Sequence, residues 1–245
     1  TKLSLMNNIV NILTSNFIDN IEKRGSEINT GRKLKDIFIE FRNQVMMISP
    51  FNNDECSDDF LIEIVKNCEG NHMSFPTPTI EVLENCLLDN KVKPFEKLLP
   101  LSLKCVKDIN TELTNLLNIL LDNNYINRFP KLVSIIREII INDVFNKHQK
   151  IAIKKIEELV DMEENYIWID DSKFLESLKS MTNSVKSNND IQLLRKLLND
   201  YFRCIVSVIQ HTIPKSIMLF LVNKSKNELQ TLLFSKINKK EYLEH

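Results

Sequence analysis

Several groups of residues have the types and spacing that chemistry requires. Residues 25–33, Gly25-Ser26-Glu27-Ile28-Asn29-Thr30-Gly31-Arg32-Lys33, come nearest to a phosphate loop. A Walker A loop has four residues between its glycines, then Lys and Ser or Thr, and it follows a strand. Here five residues lie between the glycines, Arg32-Lys33-Leu34 closes the segment, and the preceding stretch reads as helix. Glu157, Glu158, Asp161, Glu163 and Glu164 are dense enough for a two-metal carboxylate site. Helical bundles build such sites from Glu with a His three residues on. No histidine stands at that spacing, so the run reads as a solvated helix face partly matched by Lys154 and Lys155. His72, His148 and His211 stand singly among polar neighbours and read as surface residues. The basic run Lys147, Lys150, Lys154 and Lys155 has no interleaved aromatics on which bases could stack. It reads as a solvated face, with an ion pair across an assembly contact as the alternative. The five cysteines are odd in number, contain no C-x-x-C pair, and read as reduced thiols. No catalytic, metal or cofactor site is expected in these residues.

The elements that carry these residues read as helices. The 245 residues include only three glycines, and 43% are hydrophobic, enough for a substantial core. Apolar residues recur at helical spacing over 3–22, on Leu5, Ile9, Leu13 and Phe17, and over 32–48, on Leu34, Ile37, Phe41 and Val45. Ser49-Pro50 ends the second helix. Ser57 is a candidate N-cap, with Asp58 and Asp59 at the positive end of the helix dipole. Residues 67–78 read as irregular, Thr79 caps the next helix, and Pro100 is expected to interrupt the apolar run over 95–121. Pro130 suits the first turn of a helix reaching to about Trp168. Residues 170–190 read as polar loop with a short helix over 174–178. The net charge of −1 supplies no global field toward nucleic acid or an anionic membrane.

The last fifty residues are the most specific. Ile191, Leu194, Leu198, Tyr201, Ile205 and Val208 alternate spacings of three and four, the pattern of one helix packed along another. Residues 213–222 are apolar nearly all round, more than one bundle face needs. They are far short of the roughly 18–20 residues of a spanning helix. Pro214 should kink the helix just before them. The economical architecture is all-α: an elongated antiparallel four-helix bundle. No fixed repeat period supports a solenoid.

These residues carry a family resemblance. Ile213-Pro214-Lys215-Ser216-Ile217-Met218-Leu219-Phe220-Leu221-Val222-Asn223 resembles the GTPase effector segment of dynamin-related proteins, especially the branch that divides mitochondria and peroxisomes. Thr30-Gly31-Arg32-Lys33-Leu34-Lys35-Asp36-Ile37-Phe38 is similar to the opening of the dynamin middle domain, with Arg-Lys in place of Ala-Arg. Pro100-Leu101-Ser102-Leu103-Lys104-Cys105 resembles E-P-S-L-R-C with one residue extra. Arg128-Phe129-Pro130-Lys131-Leu132 matches R-F-P-K-L, and Leu159 to Ile167 resembles L-V-x-x-E-x-x-Y-I.

The resemblance implies a non-catalytic assembly stalk of a membrane-remodelling GTPase. The middle domain would span 1–178 and the effector segment 191–242. Residues 179–190 would stand where the family carries a lipid-binding or variable insert, and 243–245 read as a tag remnant. The chain would start inside a longer protein, which would bind GTP and Mg and be recruited from the cytoplasm to an organelle membrane. Its partners would be further copies of itself, the lipid membrane and a membrane adaptor protein, and no nucleic acid. The family's G-P-R-P assembly loop falls on Gly70, Asn71, His72, Met73 and Ser74, where only the glycine is kept. Leu219 and Val222 are the expected mid-stalk contact, and Lys179 and Lys186 the membrane-proximal foot. The alternative is a helical adaptor that binds partner helices without polymerising.

Overall fold

The computed structural model describes residues 2–23, 25–69, 79–89, 92–123, 125–168, 170–182 and 189–237. Every regular element among them is helical. The all-α expectation holds. The helices are α1 (Lys2–Glu22), α2 (Thr30–Met46), α3 (Asp58–Glu69), α4 (Thr79–Leu88), α5 (Leu98–Leu121), α6 (Pro130–Ile139), α7 (Asn146–Asn165), α8 (Ser172–Thr182), α9 (Asn189–Ile217) and α10 (Lys224–Ile237). Two π-helical segments, Ile140–Phe145 and Met218–Asn223, join α6 to α7 and α9 to α10 without a break.

The helix ends follow from local chemistry. Ser57 caps α3: its Oγ accepts the Phe60 amide at 3.3 Å. Asp171 caps α8 in the same way, accepting the Phe174 amide at 2.9 Å, so that helix is longer than the expected short turn. Pro130 opens α6, as its missing amide allows. Pro100 does not interrupt α5. It lies in the first turn, where amides have no partner within the helix. α3 continues to Glu69, past the residue 67 at which the irregular stretch was expected to begin; residues 70–78 lie outside the described residues.

Gly31 sits inside α2, where a Cβ would lie 2.3 Å from the Ile21 carbonyl oxygen. Only a residue without a side chain lets α2 approach α1 so closely. Gly25 does break the chain, with φ of +73°. The loop between α1 and α2 is tied down by Asn20, whose Oδ1 accepts the Ile28 amide at 3.1 Å. The stretch once compared with a phosphate loop therefore joins two helices.

The chain forms two compact units, each discontinuous in sequence. The first unites residues 1–42, 102–157 and 212–245, and the second 43–101 and 158–211. In the first, α10 packs on α1 and on the π-helical segment Ile140–Phe145. Phe17 stacks on Phe145 at 5.8 Å. In the second, α3 packs on α4, and α4 on α8. Phe51 and Phe95 both meet Phe202, and Phe174 meets Tyr201 edge-on at 5.8 Å.

Buried residues recur every fourth position along both long helices. One series is Ile136, Ile140, Val144, His148, Ala152, Ile156 and Val160; the other continues from Ile213 through Ile217, Leu221, Ser225, Leu229 and Leu233 to Ile237. In a regular α-helix, four residues overshoot a full turn by about 40°, so such a stripe drifts around the helix. A π-helical turn takes in an extra residue and offsets part of that drift. Each stripe passes through one. The expected heptad fades at its end because the buried positions there step by four, through Tyr201, Ile205, Ile209 and Ile213, so that Val208 is exposed while Ile209 is buried. By length and composition, residues 191–237 could cross a membrane, yet 44% of their most apolar window is buried inside the protein.

Candidate functional site

The catalytic candidates do not converge. Among the described residues no group of His, Cys, Asp and Glu is arranged to hold a metal ion. All five cysteines are free. Burial pushes the Cys86 and Cys105 thiols up to about 12, which keeps them protonated and unreactive. Glu157, Glu158, Asp161 and Glu164 are exposed along α7, and Glu163 is half-buried.

One histidine was misjudged from sequence. His148 is buried, and its Nε2 lies 2.5 Å from Glu228 Oε2. Glu228 also accepts a hydrogen bond from Lys147 Nζ at 2.6 Å. That lysine bond, followed by the one to His148, holds the Glu228 carboxyl below its ordinary value. Part of the basic run on α7 is thus used within the chain to fasten α10. Two more pairs do similar work: Lys226 with Glu22, and Lys236 with Asp143, each at 2.5 Å. His211 is exposed, and His72 lies outside the described residues.

The expected assembly residues separate into three groups. Leu219 lies on the second π-helical segment and is 51% exposed. Val222, three residues on, is fully buried. This corrects the expectation that both face a partner. The four-residue stripe carries Leu221 into the core, and Val222 follows it there, so only Leu219 of that pair offers apolar surface. The all-round apolar character of residues 213–222 is therefore mostly core. Lys179 is exposed on α8. Gly70, Asn71, His72, Met73, Ser74 and Lys186 lie outside the described residues.

The residues that sequence reading missed lie in the second unit. Arg195 is buried on α9. Its Nη1 donates to the Phe51 and Cys56 carbonyls at 2.7 and 2.6 Å, and its Nη2 to Asp58 Oδ1 at 2.5 Å. Two turns on, Arg203 donates to the Met46 carbonyl at 2.6 Å and to Ser49 Oγ at 3.2 Å. Together they clasp the connection between α2 and α3. The available signal was a cation within the apolar run Leu193-Leu194-Arg195-Lys196-Leu197-Leu198.

An open groove of about 730 Å³ lies between the end of α7, α8 and α9 in this unit. Trp168, the only tryptophan of the chain, lines it and is 83% exposed. The sequence suggested that the long helix continues to this residue; it ends at Asn165, which leaves the indole in the following loop.

Comparison with known proteins agrees with this helical layout. Residues 1–183 match the model of the dynamin central region. Residues 186–245 match the dynamin GTPase effector domain. The dynamin-related protein DNM1 of Saccharomyces cerevisiae is 28% identical over 194 residues, which are 76% of this chain and 24% of the yeast protein. Dynamin-A of Dictyostelium discoideum is 39% identical over 56 residues, 23% of this chain and 7% of that protein. The chain thus spans about a quarter or less of each of these relatives. With the central region and the effector domain interleaved in both of its compact units, the chain belongs to the dynamin family.

Proposed function

We propose that this chain is the non-catalytic self-assembly stalk of a dynamin-like GTPase that remodels or divides membranes. The observation that carries the reading is the pairing of a central region with an effector domain within each of the two compact helical units. In the first unit α10 fastens onto α1, the π-helical segment Ile140–Phe145 and α7 through the Glu22, Asp143 and Glu228 pairs, which gives assembly a stiff element to act on. GTP and Mg would be held by a part of the full-length protein not included here, and membranes would be reached from the cytoplasm through the assembled stalks. Self-association would use an apolar contact that includes Leu219. Residues Gly70 to Ser74 would extend assembly beyond dimers, and Lys179 and Lys186 would lie toward the membrane.

The test is the solution mass of the chain over a wide concentration range, beside Leu219→Asp. The reading expects a mass that grows with concentration and falls to that of a monomer in the variant, with helicity unchanged. A monomer at every concentration would favour the helical adaptor instead.

A further inference from the structure

The groove of the second unit has walls of a definite character. Its charged lining comprises four carboxylates, Glu163, Asp170, Asp171 and Asp200, against two cations, Lys173 and Arg203. The Arg203 guanidinium is turned to the Met46 carbonyl and Ser49. No salt bridge among the described residues reaches any of the four carboxylates. Glu163 and Asp200 are half-buried, where unpaired charge is costly, and burial raises the Glu163 carboxyl above its ordinary value. Apolar surface adjoins the acids. Trp168 is 83% and Val208 46% exposed. Phe174 forms a buried floor, held against Tyr201.

We propose that this groove docks a partner protein through an amphipathic helical segment whose apolar residues cover Trp168 and Val208 and whose lysines or arginines meet Glu163, Asp170 and Asp200. Charge selects the occupant. An acidic or neutral apolar segment would leave the half-buried carboxylates unpaired, whereas a basic one supplies the missing partners as it excludes water. The indole is a strong anchor for such a contact, since tryptophan brings a large apolar area with few rotamers to fix. The volume suits a few side chains from one face of a helix, the mode in which an amphipathic helix lies in a groove. The inference does not depend on self-assembly, which turns on Leu219 in the other unit.

Because Trp168 is the only tryptophan, its emission reports this groove alone. The chain is titrated with three synthetic peptides: a helical Leu-Lys peptide, a Leu-Glu peptide of the same spacing, and a Lys-Ser peptide with the charge but no apolar face. The Leu-Lys peptide should shift the emission to shorter wavelength, saturably and less at high salt, and the other two should not. Combined Glu163→Gln and Asp200→Asn should weaken binding about tenfold or more, the scale of a lost charge pair at a partly buried site. Asp170→Asn, at the exposed rim, should weaken it by a smaller factor, read by calorimetry, even if the double variant folds poorly. Equal binding of the Leu-Glu peptide, or undiminished binding by these variants, would overturn the proposal. A shift in emission with protein concentration alone would also overturn it, because the occupant would then be a second copy.

Discussion

The two compact units are built from the same long helices yet held together by different means. The first is closed by side chains reaching across regular helices: Lys226 to Glu22, Lys236 to Asp143, and Lys147 with His148 to Glu228. The second is closed by guanidinium groups on backbone carbonyls of an irregular connection, with an aromatic cluster behind them. Ion pairs between helices can be exchanged or weakened at modest cost, since partly exposed pairs contribute little each. A buried arginine holding main-chain carbonyls cannot, because its removal leaves polar atoms buried without partners. The first unit is therefore tunable by charge and pH, and the second depends most on the buried Arg195.

The largest expected effect breaks the second unit. Arg195→Met should cost about 3 kcal/mol, because the Phe51 and Cys56 carbonyls lose their donor. Hydrogen exchange should show the amides of α3 opening before those of α1 and α10. Equal loss in both units would mean that the clasp is not local. A smaller effect is expected in the first unit from Gly31→Ala, at about 2 kcal/mol, since the new methyl would press on the Ile21 carbonyl. Denaturant unfolding of the variant checks it, and an unchanged midpoint would show that α1 and α2 part freely.

The smallest effect sharpens the contrast through pH. Glu228 has a lowered carboxyl pKa, so its stabilising contribution is complete above the unfolded value of about 4.3 and is lost as pH falls through the folded value. Glu163 has a raised one, so its penalty is present at neutral pH and is relieved as pH falls through its folded value. Acidification below about pH 4.3 should thus loosen the first unit, while the second is eased already at higher pH, as the raised Glu163 carboxyl takes up its proton. Exchange rates of α10 and α8 amides followed from neutral pH downward would show the opposite trends. Glu228→Gln should flatten the first trend and Glu163→Gln the second.

Much of the fold was legible because it is local. The Ser57 cap, Pro130 at a first turn and the 3.6-residue periodicity depend on neighbours in sequence, and each stands where the residues imply. Pro100 was misread because proline is costly only past the first helical turn, and the start of α5 at Leu98 is not written in any strong cap. His148 looked like a surface residue because its partner, Glu228, lies eighty positions away. Leu219 and Val222 looked equivalent because a π-helical turn is invisible to a count based on 3.6 residues per turn. The clasp of Arg195 and the groove at Trp168 depend on tertiary placement alone. The two units likewise interleave distant stretches, which no composition change along the chain marks.

The central claim is that the chain is an assembly element whose apolar contact includes Leu219. The most direct measurement is light scattering of the parent and Leu219→Asp over about a hundredfold concentration range, with circular dichroism to confirm equal helicity. The account predicts a parent mass that rises with concentration and a variant that stays monomeric. A variant as associated as the parent, or a parent monomeric throughout, would contradict it.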